Sequence, residues 1–118
     1  MVPGDLIDEE RFAELGSEFP ADVVAEVVAT FRETTPPMVA ELAQAVRDGD
    51  GEAIVRAAHR LKGGCMVVGT LALEQIAGRL ESDPGAAARA PAIVAAELED
   101  VWNRTDAELA RRAGGTGR

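Results

Sequence analysis

The sequence predicts an all-α fold: an antiparallel up-down four-helix bundle with an additional short N-terminal helix. Three observations carry this. Apolar residues recur at the i, i+3, i+4, i+7 spacing of a helical face in one segment after another. No strand-length stretch alternates apolar and polar residues. Aromatic residues make up only 3% of a chain that is 47% apolar, so the core must be built from Val, Leu, Ile, Ala and Met. That mixture suits close-packed helices and lacks the β-branched and aromatic alternation of a sandwich or barrel.

Taken in order, Met1 to Leu6 reads as a loose start, and Ile7, Phe12 and Leu15 mark a short helix from Asp8 that Gly16 stops. Pro20 suits a first helical turn, and Val24, Val27, Val28 and Phe31 follow on one face. A residue before proline is pushed out of the α region, so this helix is expected to end before Pro36. Thr35 then caps the next one across a Thr-Thr-Pro-Pro corner. That next helix carries Met38, Val39, Leu42, Ala45 and Val46 and stops at Gly49.

Asp50 caps a helix with the apolar stripe Ile54, Ala57, Ala58, Leu61, Cys65 and Val68, ended at Gly69. Leu73, Ile76, Ala77 and Leu80 repeat the stripe up to Asp83-Pro84-Gly85. Pro91 opens a last helix bearing Val94, Leu98, Val101, Trp102, Thr105 and Leu109, and Gly114 to Arg118 is expected to fray. Nothing divides the chain, so residues 1–118 form one expected domain, with 1–6 and 114–118 as loose tails.

The 118 residues hold 12 Lys and Arg against 21 Asp and Glu, a formal charge of −9. Such a balance argues against binding nucleic-acid phosphate or an anionic membrane through a general basic field. No run of about 18 apolar residues is present and the acidic start does not resemble a signal peptide, so a cytoplasmic location is expected. The single cysteine, Cys65, makes no internal disulfide, and on the core stripe it reads as a buried thiol. One histidine builds no usual catalytic metal site, and no metal is expected.

That histidine, His59, lies off the core stripe of its helix. Its neighbours on its own face are Val55 and Arg56 behind and Lys62, Gly63 and Met66 ahead. A lone helical histidine is usually an ordinary surface residue, and two observations set this one apart. Gly63 and Gly64 sit inside the helix, where each costs about 1 kcal/mol relative to alanine, which calls for close packing or for the approach of a large partner. Arg56, Arg60 and Lys62 gather positive charge around the ring in a chain that is acidic elsewhere, which favours an anion at the imidazole.

The run Ala58-His59-Arg60-Leu61-Lys62-Gly63-Gly64, with Gly69 ten positions after the histidine, resembles the signature of the histidine-containing phosphotransfer (HPt) domains of multistep phosphorelays. The resemblance extends over nearly the whole chain. It implies that His59 is the phosphoacceptor for the aspartyl phosphate of a response-regulator receiver domain, and that Lys62 lies beside the phosphoryl oxygens. Gly63 would leave room for the receiver, while Arg56, Arg60, Gly64 and Met66 belong to the docking surface. Glu81, twenty-two positions after the histidine, would hydrogen-bond the other ring nitrogen.

The resemblance further implies a monomeric carrier without kinase activity, fed by a sensor or hybrid histidine kinase. The carrier needs no cofactor, since the receiver brings the aspartate and Mg²⁺. Gly64 and Cys65 depart from the small Ser or Ala common at those positions, so no hydroxyl is available there. Two other functions fit the same residues: the phosphoacceptor domain of a chemotaxis-type histidine kinase, and a helical interaction module without phosphotransfer.

Overall fold

The apolar stripes of this sequence fold into five α-helices, seen in a computed structural model that describes residues 5–116, with side chains to Ala113. They are α1 (Glu9–Glu18), α2 (Ala21–Asp48), α3 (Gly51–Val68), α4 (Leu71–Ser82) and α5 (Pro91–Thr116), with a 3₁₀ turn at Pro84–Arg89 between the last two. No strand occurs among the described residues, and none of their helices is long and apolar enough to cross a membrane. Residues 1–4 and 117–118 of the expected loose tails lie outside the described residues.

Helix α2 corrects the Thr-Thr-Pro-Pro corner. It runs unbroken for 28 residues with Pro36 and Pro37 inside it, and Thr35, expected as a cap, is buried at 1% exposure. A proline in a helix interior costs about 3 kcal/mol, because it removes a hydrogen bond and crowds the carbonyl four residues back. Here Phe31, Thr35, Val39, Leu42 and Val46 form one buried stripe through the proline pair, and breaking the helix would expose half of it. Both prolines face solvent, so the carbonyls of Arg32 and Glu33, which lose their helical partners, lie on the hydrated side.

Three smaller boundaries also shift. Gly16 does not stop α1, which continues to Glu18, and α5 passes Gly114 to reach Thr116. Leu6, expected in the loose start, packs against the core, and its carbonyl accepts a hydrogen bond from Ala72 N at 3.4 Å.

Helix α2 runs opposite to both α3 and α5. Glu41 and Phe31 of α2 meet Arg60 and Gly64 of α3, and Arg47 and Arg32 of α2 meet Glu99 and Asp106 of α5. Leu42, Leu61, Leu73, Leu98 and Leu109 are fully buried where these faces converge, and Trp102 stands edge-on to Phe31 at 5.9 Å.

The tight corner between α3 and α4 depends on Gly69. Its φ of +84° suits a residue without Cβ, and a Cβ there would come within 3.3 Å of the Asp8 carbonyl oxygen. The same glycine's carbonyl accepts from Asp8 N at 2.7 Å, which joins the start of α1 to this corner. Asp8 in turn caps α1 by accepting from Arg11 N.

An ion network ties α1 to α5: Arg112 reaches Glu9 through two nitrogens, bonds Glu108, and lies over the Phe12 ring at 5.1 Å. Arg111 and then Arg112 hold the Glu108 carboxyl down to about 2 from the ordinary 4.5. A depressed carboxylate contributes stability that is complete above its unfolded value and lost as pH falls through its folded one. Glu108→Gln is therefore expected to melt below the wild type at pH 7, with the gap closing between about pH 4.5 and 2. Thermal melts at stepped pH measure this, and a gap independent of pH contradicts it.

Candidate functional site

Helix α3 carries two opposed faces. Asp50 accepts from Ala53 N at 3.2 Å to start it, and Ile54, Ala57, Ala58, Leu61, Cys65 and Val68 anchor it in the core. Cys65 is fully buried, and burial pushes its thiol up to about 12, which makes it inert at neutral pH. With that side locked, His59 emerges on the opposite face with 74% of its side chain exposed.

Helix α4 folds back along α3 and brings Glu81 against the ring: His59 Nδ1 and Glu81 Oε2 are 2.6 Å apart. The other carboxylate oxygen, Oε1, holds Lys62 Nζ at 2.5 Å. Lys62 first, and His59 second, keep the Glu81 carboxyl below its usual range, so it is ionised at neutral pH and can only accept. In a neutral imidazole the proton then resides on Nδ1, donated to Glu81, and Nε2 keeps its lone pair on an exposed ring. The result is a nucleophilic nitrogen presented to whatever docks on this face.

The remaining expected site residues separate. Gly63 is exposed, and a Cβ placed on it would meet nothing within 4 Å. Met66, one turn further, is 48% exposed. Arg56 is exposed beside the histidine, while Arg60 leans to α2, where it pairs with Glu41 at 2.7 Å. Gly64 turns toward α2, its Cβ position 3.8 Å from the Phe31 ring. His59, Lys62 and Glu81 thus form one connected group with the clear surface of Gly63 beside it.

The link between Lys62 and Glu81 is not apparent from the sequence, where the lysine reads only as a cation for the phosphoryl group. The opposed order of the two helices supplies only part of it, the neighbourhood of the lysine stem. If residue 59 lies against residue 81, a residue one turn later on α3 lies against the turn before Glu81 on α4.

A family model described as the Hpt domain matches residues 26–111, which hold this group and most of the helices around it. The chain belongs to the Hpt domain family. Its fold is similar to the crystal structure of histidine-containing phosphotransfer protein B (HptB) from Pseudomonas aeruginosa PAO1. The TM-score is 0.79 at 20% identity, over 93% of this chain and 96% of that one. No protein of curated function matches the chain. This Hpt domain is a histidine phosphotransfer protein of a phosphorelay, and its one histidine is the residue that α3 and α4 present to solvent.

Proposed function

We propose that this Hpt domain takes a phosphoryl group from the aspartyl phosphate of one response-regulator receiver domain onto Nε2 of His59 and passes it to the aspartate of another. The observation that carries this is the hydrogen bond from Nδ1 to an ionised Glu81, which leaves Nε2 as the free base on a ring 74% exposed. The helices that present it act as an antiparallel up-down four-helix bundle, α2 to α5, with α1 set against it.

In the transfer, the Nε2 lone pair forms the N–P bond as the bond from phosphorus to the aspartyl oxygen breaks, and the aspartate leaves as a carboxylate. The Nδ1 proton stays in place, and the positive charge that grows on the ring is stabilised by Glu81. Lys62, one helical turn from His59, supplies the cation for the phosphoryl oxygens. Phosphoryl transfer of this kind needs positioning and charge neutralisation more than covalent machinery, and Mg²⁺ belongs to the partner receiver.

The same reading makes the domain a monomeric, cytoplasmic carrier with no kinase activity of its own, loaded through a sensor or hybrid histidine kinase. Gly63 and Met66, with Arg56, Arg60 and Gly64 at the margins, form the surface on which receivers dock. Mixing the chain with a panel of phosphorylated receivers tests this. At least one is expected to transfer its label as a base-stable, acid-labile phosphohistidine, and a chain that no phosphorylated receiver labels overturns the reading.

A further inference from the structure

On the flank of the histidine face, α3, α4 and the 3₁₀ turn leave an open groove of about 720 Å³ lined by Lys62, Gln75, Gly78, Arg79, Ser82 and Asp83. Gly78 is the unusual member. It lies inside α4, where glycine costs about 1 kcal/mol relative to alanine, and neither a turn nor a positive φ requires it. Its environment contains one neighbour: a Cβ built on Gly78 would lie 3.8 Å from Cδ of Lys62. The lysine stem therefore crosses α4 at the one place where that helix has no side chain. Its ammonium then ends on Glu81, one turn beyond Gly78 on the same face of α4.

We infer that Gly78 is a positioning residue: its bare surface is the track along which Lys62 reaches Glu81, so that the lysine, besides serving the phosphoryl oxygens, holds the carboxylate that orients His59. A side chain longer than a methyl at residue 78 would occupy the track and turn the lysine outward. Glu81 would then keep one partner instead of two, and its carboxylate would no longer be fixed by both oxygens. The charged groups facing Glu81 and the track are His59 and Lys62 from α3, with Arg79 on α4 and Asp83 just beyond it.

The consequence for transfer rests on the phosphorelay reading, whereas the geometry is tested in the isolated chain. The Glu81 carboxyl is titrated by NMR in the wild type and in Gly78→Ala, Gly78→Gln and Gly78→Leu, each also in a Lys62→Met background. In the wild type and Gly78→Ala its midpoint is expected to stay below 4.5. In Gly78→Gln and Gly78→Leu it should rise to the value of the Lys62→Met protein, and in the Lys62→Met background no variant should move it further. If both longer side chains leave the Glu81 midpoint at its wild-type value, or shift it equally without Lys62, the inference is overturned. Gly78→Gln, a good helix former, keeps the test decisive if the leucine variant does not fold. Phosphotransfer from a receiver is measured alongside, with Gly78→Gln expected to slow to the rate of Lys62→Met. A wild type that no receiver labels counts against the phosphorelay reading, while the titration still decides the role of Gly78.

Discussion

His59→Gln is expected to abolish labelling by any phosphorylated receiver that labels the wild type, while leaving the melting curve in place. The ring is 74% exposed and anchors no core contact, so replacing it should change stability by no more than about 0.5 kcal/mol. The amide of glutamine can still bond Glu81, but its nitrogen offers no basic lone pair to phosphorus. Because the chain holds one histidine, no second imidazole can compensate. Equal labelling of variant and wild type would place the phosphoacceptor elsewhere.

Gly63→Gln should separate folding from docking. Nothing lies within 4 Å of a Cβ at this position, so the side chain meets no resistance in the isolated protein. Helix propensity then works in its favour, with an expected gain of about 0.5 to 1 kcal/mol in unfolding free energy, read as a higher denaturant midpoint. The same side chain stands one turn from His59, in the space that the proposed docking of a receiver needs. Loss of close approach there should weaken receiver binding at least about tenfold, equivalent to ~1.4 kcal/mol. Calorimetry of receiver binding beside a urea melt reads both quantities. A variant that is stabilised and binds as the wild type does would remove Gly63 from the docking surface.

The helix stripes and the two exposed glycine and histidine positions were legible in the sequence because a helical face is a local periodicity. The stripe of α3 appears in the structure residue for residue, from Ile54 to Val68. The Pro36-Pro37 pair misled for the opposite reason. The rule that proline ends a helix is local, whereas the reason α2 continues is the burial of Phe31, Thr35, Val39, Leu42 and Val46 against other helices. The pairing of His59 with Glu81 came with the family resemblance, since no periodicity relates residues on different helices. The link from Lys62 to Glu81 escaped because it depends on the rotation of α3 against α4, which packing alone sets.

The opposed faces of α3 also bear on how such a carrier can diverge. Ala58, Leu61 and Cys65 are fully buried, whereas Arg56 and Met66 are exposed. Substitutions at the exposed pair fall in the class that changes stability by less than about 0.5 kcal/mol, so selection on folding barely sees them. After a duplication, a descendant that docks receivers on this face, as proposed above, can drift toward a new one while its body stays constant. Insulation between parallel signalling routes can then arise from a few rim changes, without rebuilding the scaffold.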